Sequence, residues 1–243
     1  MTPEIVSQLA PSGTLKAAIN LSNFLLVTGR SASGEPEGVA PDMARAIADR
    51  LGVGLQLVAY PTPGELSDAA DSGVWDIGLI GAEPERAKKI TFSSAYSEIE
   101  ATYLVPPGSP LEHVSQVDRP GIRIATAART AYGLWLERNI EHAELVQAEG
   151  FDATFELFVN DKLDALACLK SKLLSDAEKI PGSRILQGQF TAVQQAVGTA
   201  KGNVAGAKFL QDFVEEAKAS GFVASLIQKH QVRGLSVAGP FTA

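Results

Sequence analysis

The sequence predicts an α/β fold built on a mostly parallel sheet. Short apolar strand-like runs alternate with amphipathic helical segments, the pattern of βαβ units. The alternation comes in two sets, separated by Pro-Pro-Gly-Ser-Pro at 106–110, which reads as a linker. The composition is that of a folded globular chain: 45% hydrophobic residues and 20% charged.

The elements follow in order. Residues 14–20, TLKAAIN, read as a buried strand, followed by a loop rich in Ser, Gly and Pro. Pro41 opens a helix with Met43, Ile47 and Leu51 on one face, closed by Gly52. VGLQLVA, 53–59, is a strand. Thr62-Pro63-Gly64-Glu65 is a capping box, and its helix runs to about Gly73. VWDIGLI, 74–80, is a strand, Pro84 starts a short helix, and ATYLV, 101–105, is again a strand.

In the second set, IRIAT at 122–126 is a strand and Thr130 starts a helix carrying Leu134 and Trp135. ELVQA, 144–148, is a strand. The helix from Asp152 shows an apolar face of Phe155, Phe158 and Val159. DALACL, 164–169, is a strand, followed by a Lys-flanked helix and RILQ. Residues 190–200 are uncharged and strand-like. Asn203 caps a helix with Phe209, Leu210, Phe213 and Val214 on one face, ended by Gly221, and a last helix covers about 222–230.

Several function classes are excluded. With 21 Lys+Arg against 28 Asp+Glu the net charge is −7, which argues against a nucleic-acid binder. No stretch reaches the roughly 18 apolar residues of a membrane span. The single cysteine, Cys168, excludes an internal disulfide and a Cys-based zinc site, and within an apolar strand it reads as an inert thiol. His113, His142 and His230 are isolated. No nucleotide-binding glycine motif and no nucleophile elbow occurs, so no cofactor and no metal is expected.

The informative segment is VWDIGLIGAEPERAKKITFSSAYSEIEATYLV, 74–105. It reads as a strand, a tight turn at Gly81-Ala82 and a helix start that places Arg86 in the first turn. A cation there opposes the helix macrodipole by roughly 0.3–1 kcal/mol. A bound anion would compensate, and so would a salt bridge to Glu83 or Glu37.

This segment resembles the extracellular solute-binding proteins of family 3, the amino-acid-type periplasmic binding proteins of ABC importers. Ser72-Gly73, Asp76, Glu85-Arg86, Ile90, Phe92-Ser93 and Tyr96 fall on the family's motif. GVAPDMARAIADRLGV upstream, and IRIATAARTAYGLWL, KLDALACL and FVEEAKASGFVASLI downstream, sit where its other patterns fall. The resemblance covers 14–230. It implies a two-lobed periplasmic-binding-protein-like fold of type II, with two crossing hinge strands. Lobe one would be 1–105 plus 192–243 and lobe two 106–191, with hinges near Val105-Pro106 and Ala192-Val193. A ligand would be held between the lobes and enclosed by closure.

By the same resemblance, Arg86 matches the arginine that forks onto a ligand carboxylate, and Thr130 the residue whose hydroxyl and N–H complete the grip, with a plain N-cap as its alternative. Tyr60 matches an aromatic packed against the ligand, with core packing as its alternative. Asn20 and Asn23 match cleft-lining positions, and Ala82 lies in the turn before Arg86. Three departures stand out. The family's aspartate for the ligand's amino group falls on Leu169. Glu83 stands where a threonine is common and could take an ammonium or pair with Arg86. Arg129 replaces the usual glycine before Thr130 and could add a second cation. Lys170, just after Leu169, is a further candidate for an anionic group, with a solvated helix start as the favoured alternative. A buried ammonium without a carboxylate costs several kcal/mol.

These features imply a non-catalytic ABC-transporter binding protein for a small carboxylate: an organic, keto or aromatic acid, or an atypical amino acid. One alternative is an enzyme resembling cyclohexadienyl dehydratases, with Glu83 the only evident general acid. Another is a ligand-sensing domain. The resemblance implies an ABC permease as partner, a monomer, and the periplasm. MTPEIVSQLAPSG lacks the basic and apolar regions of an export signal. Periplasmic location thus requires that a signal has been removed or overlooked, and the cytoplasm is the alternative.

Overall fold

The computed structural model describes residues 2–241. The chain forms two compact units. Unit 1 comprises the chain up to Glu98 and from Gln194 onward; unit 2 is Ile99–Val193.

Unit 1 begins with α1 (Pro3–Leu9), β1 (Thr14–Asn20), a small hairpin of β2 (Gly29–Arg30) and β3 (Pro36–Glu37), and α2 (Val39–Leu51). It continues with β4 (Gly54–Tyr60), α3 (Pro63–Asp68) and β5 (Ile77–Gly81). β1 lies between β4 and β5, parallel to both. Strand alternation divides the two faces. Ala18 and Ile80 share a core cluster with Leu66 and Ala70 after β4, and with Trp75, whose indole N–H donates to Leu66 O at 3.2 Å. The opposite face, with Ala17, Ile19 and Leu79 fully or almost fully buried, takes α2, which packs on β1 and β4.

β6 (Ile90–Val105) passes from unit 1 into unit 2. Unit 2 adds β7 (Arg123–Ala127), α4 (Ala131–Asn139), β8 (Glu144–Ala148), α5 (Phe151–Asn160), β9 (Ala165–Leu169), α6 (Lys170–Ala177) and β10 (Arg184–Ile185). β7 lies between β8 and β9, parallel to both, and β9 runs antiparallel to β6. Its core joins Tyr103, Val105, Ile124, Leu136, Ala165 and Ala167. The Pro-Pro-Gly-Ser-Pro run lies within unit 2, after β6. β11 (Thr191–Ala200) returns the chain to unit 1, where it pairs antiparallel with β5. α7 (Val204–Ala219), α8 (Phe222–Lys229) and β12 (Ser236–Val237) complete it.

Both units share one device. Asp76, before β5, accepts from Lys16 N at 2.8 Å and returns its own N–H to Lys16 O at 2.9 Å. Asp164, before β9, accepts from Arg123 N at 2.8 Å and donates to Arg123 O at 3.0 Å. In each unit a carboxylate thereby fixes the register of the two central parallel strands.

Three local readings need correction. α2 starts at Val39 after Gly38, so Pro41 is its third residue and not its first. Proline is tolerated there because first-turn N–H groups have no intrahelical acceptor. Asn203 stands at the N-cap of α7 but makes no side-chain cap. Its amide donates instead to Thr199 Oγ1 at 2.9 Å and Gln8 O at 3.1 Å, tying α7 to β11 and α1. Pro84 opens no α-helix: only a three-residue 3-10 turn, Arg86–Lys88, forms before β6 begins at Ile90. One i→i+4 bond forms in the connection, Ala87 N to Glu83 O at 2.9 Å, but β6 begins before a helix can propagate from it, so the macrodipole argument for Arg86 falls away.

Candidate ligand-binding site

In an open α/β sheet, ligands bind outside the carboxyl ends of the strands. In unit 1 the two central parallel strands are β1 and β5. Their C-terminal ends carry Asn20 and Gly81-Ala82-Glu83. Asn20 Oδ1 accepts from Ser22 N at 3.2 Å and Ser22 Oγ at 2.8 Å. Asn23 Oδ1 accepts from Leu25 N at 3.3 Å, and its carbonyl accepts from Leu26 N and Val27 N. Both asparagines thus shape the loop after β1.

Arg86 is 4% exposed, and its Nη1 donates to Gly81 O at 2.7 Å. The last carbonyl of β5 therefore fixes one arm of the fork at the strand end. Ala82 N donates to Gln194 O at 2.7 Å. Glu83, also 4% exposed, accepts from Glu85 N at 2.9 Å, and its carbonyl accepts from Ala87 N. This acid thus serves the turn that presents Arg86. Tyr60 pairs in register with Asn20 and packs against the Ala18–Leu66 core cluster. Burial raises its phenol above the ordinary value, so the hydroxyl stays protonated.

In unit 2 the corresponding strands are β7 and β9. Thr130 is the N-cap of α4: its Oγ1 accepts from Gly133 N at 3.0 Å and donates to Ala127 O at 2.8 Å. Arg129 is exposed and has φ 58°, a left-handed conformation that costs a residue with a Cβ about 1–2 kcal/mol. That is the physical reason a glycine suits this position. Leu169 ends β9, is 5% exposed and opens α6. Lys170 is tied at the surface to Glu100, Nζ to Oε2 2.6 Å. Beneath Leu169, Cys168 Sγ lies 3.5 Å from the Tyr132 hydroxyl. Burial pushes the thiol up to about 12, which removes any thiolate chemistry near pH 7.

Each unit therefore gathers its own share of the sequence-derived residues at one strand end. Asn20, Asn23, Tyr60, Ala82, Glu83 and Arg86 belong to unit 1; Arg129, Thr130 and Leu169 belong to unit 2. Two residues escaped the sequence reading. Phe24, between Asn23 and Leu25, is a large apolar side chain left 38% exposed; only its place next to Asn23 could have marked it. Gly133 sits under Thr130, where a Cβ would lie 2.5 Å from Ala127 O. Among the described residues, no group of three or more His, Cys, Asp or Glu could hold a metal, and no helix is long and apolar enough to cross a membrane.

Residues 24–232 match the family of bacterial extracellular solute-binding proteins, family 3. The chain belongs to this family. Its fold is that of solved members of the two-lobed class. One is the L-cysteine solute receptor of Neisseria gonorrhoeae, with TM-score 0.74 and 17% identity, over 96% of this chain and 99% of that one. Another is an amino acid ABC transporter substrate-binding protein from Streptococcus pneumoniae bound to L-arginine, with TM-score 0.72 and 20% identity, over 96% and 99%. A third is an ancestral amino acid-binding protein, a precursor of cyclohexadienyl dehydratase, with TM-score 0.73 and 20% identity, over 92% and 97%. No curated protein matches the sequence. This family-3 chain is accordingly a solute-binding protein of the amino-acid ABC-transporter type.

Proposed function

We propose that this protein captures a small carboxylate and delivers it to an ABC permease, working outside the cytoplasmic membrane as a monomer. Arg86 is the anchor. The observation that carries this reading is its burial at the end of β5, with one guanidinium arm fixed by Gly81 O. A guanidinium held in one orientation matches a carboxylate bidentately. Thr130 adds its hydroxyl, held at the N-terminus of α4. Tyr60, Phe24 and Leu169 supply apolar wall.

Leu169 sets the ligand class. A buried ammonium without a carboxylate costs several kcal/mol, so the ligand is an organic, keto or aromatic acid before it is an α-amino acid. The lobes proposed from the sequence, 1–105 with 192–243 and 106–191, put the bend at the end of β6 and the start of β11. Closure of the lobes would exclude water and strengthen the ionic contact.

A thermal-shift screen tests this, using the twenty amino acids beside matched acids lacking the amino group. A ligand at 100 times its Kd stabilises by about 2.7 kcal/mol, a shift of several degrees. Hits confined to the non-amino acids support the reading. A hit on common amino acids assigns the ammonium to another group, Glu83 first. Consumption of prephenate would replace the binding role with a dehydratase role.

A further inference from the structure

The two strands that cross between the units leave unit 1 at bonded residues. On β6 the last residue of unit 1 is Glu98, and on β11 the first is Gln194. Gln194 Nε2 donates to Glu98 Oε2 at 3.0 Å, and both side chains are half-buried. A hydrogen bond onto a carboxylate is stronger than one between neutral groups.

Each end of this bond is separately anchored in unit 1. Gln194 O accepts from Ala82 N at 2.7 Å, and the next residue, Gln195, pairs in register with Gly81 of β5. Glu98 pairs with Ser236 of β12, whose hydroxyl donates to Glu98 O at 3.3 Å. Ile99 and Val193, the next residues outward, belong to unit 2. Any bending of the crossing strands therefore falls beyond the bond, on β6 after Glu98 and on β11 before Gln194.

The same stretch carries polar groups that the fold does not satisfy. Tyr96, Ser97 and Gln195 are 0%, 0% and 3% exposed. The Tyr96 hydroxyl, Ser97 Oγ and Gln195 Oε1 have no hydrogen-bond partner among the described residues. A buried polar atom without a partner is costly, which favours any rearrangement that supplies one. Groups on both strands thus favour a change, and the Glu98–Gln194 bond joins the same two strands and resists it.

We propose that Glu98 and Gln194 form a clasp that sets the balance between two arrangements of the crossing strands, and with it how far the units turn about them. The clasp reaches the candidate site through a single turn. Ala82, which bonds Gln194, follows Gly81, whose carbonyl holds Arg86. The inference rests on the lobe closure proposed above, and neither side chain has to touch the ligand.

Spin labels at Asp49→Cys in α2 and Glu156→Cys in α5, both exposed positions, test it on the full chain without ligand. Double electron–electron resonance reads the distribution of distances between them. In Gln194→Glu two carboxylates face each other and the clasp breaks. The share of the distribution outside the main peak should rise about three- to tenfold, the effect of losing one half-buried hydrogen bond to a charged group. Adding Glu98→Gln to Gln194→Glu exchanges donor and acceptor and should restore the original distribution. No change in Gln194→Glu, or a double variant as altered as the single one, would overturn the clasp. Circular dichroism of each variant checks that it is folded. The thermal-shift screen detects carboxylate capture without reporting on the strands, so failure of either experiment leaves the other reading standing.

Discussion

The Nη1 of Arg86 donates to the carbonyl oxygen of Gly81 at 2.7 Å, across the turn that ends β5. The bond turns a flexible side chain into a fixed one, because the acceptor belongs to a strand paired on both sides. It also makes Arg86 a poor target for conservative exchange. Lysine keeps the charge but not the planar fork that can hold a backbone carbonyl and a carboxylate together. Arg86→Lys is expected to weaken ligand binding about a hundredfold, and Arg86→Ala to abolish it by calorimetry. Near-normal affinity in the alanine variant would remove Arg86 as the anchor.

Thr130 and Gly133 act as one unit. Thr130→Ala removes the cap of α4 and should cost about 1 kcal/mol of stability, whereas Thr130→Ser should keep most of it. Gly133→Ala places a Cβ 2.5 Å from Ala127 O and 2.9 Å from Thr130 Oγ1. It should destabilise by about 1–3 kcal/mol and displace the hydroxyl. Denaturant midpoints measured without ligand would show both effects. A neutral Gly133→Ala would mean that α4 can shift freely.

Arg129 carries its positive φ at a conformational cost. Arg129→Gly should raise the unfolding free energy by a few tenths to about 1 kcal/mol, the left-handed penalty less the entropy glycine adds to the unfolded chain. Ligand affinity then separates two roles for the side chain. Affinity unchanged in the glycine variant means the guanidinium does not reach the ligand; affinity lowered means it does.

Asp42, in the first turn of α2, accepts from Lys229 Nζ at 2.8 Å and lies 2.7 Å from His230 Nε2. Burial works to raise its pKa, but the hydrogen bonds and charges of Lys229 and His230 prevail and hold it below the ordinary 3.8. The carboxylate therefore binds its proton less readily folded than unfolded. Its contribution is complete above the ordinary carboxylate value and is lost as pH falls through the lower folded value. Asp42→Asn should lower the urea midpoint at pH 7 and flatten its decline below pH 4, about the ordinary carboxylate pKa. An unchanged acid slope would assign that decline to other carboxylates, Glu215 first, whose pKa Lys218 and Ser94 also lower against the opposing effect of burial.

Cys168 should be silent to thiol reagents in the native protein. Its thiol is pushed up to about 12 by burial, and the attacking species is the thiolate. A disulfide reagent at about pH 8, near the ordinary thiol pKa, should release no colour from native protein and one equivalent after unfolding. Fast native reaction would show that β9 opens readily.

The sequence alone determined the strand and helix alternation in both units, the N-caps Thr62 and Thr130, and the family that Arg86 and its neighbours mark. These are local signals: a period of two or 3.6 residues, a glycine or proline that breaks it, a hydroxyl before a helix. The tertiary structure decided what no local signal carries. Residues 90–100 became the first part of a sixteen-residue strand because partners far along the chain supply its pairing. Asn203 abandoned its helix for Thr199 and Gln8 because those acceptors reach it only in the packed fold. Arg86 has a fixed fork because β5 ends where it does. Pattern fixes which faces are buried, whereas the partners of buried polar groups are set by residues brought together only on folding, such as Lys16 with Asp76 and Asp42 with His230.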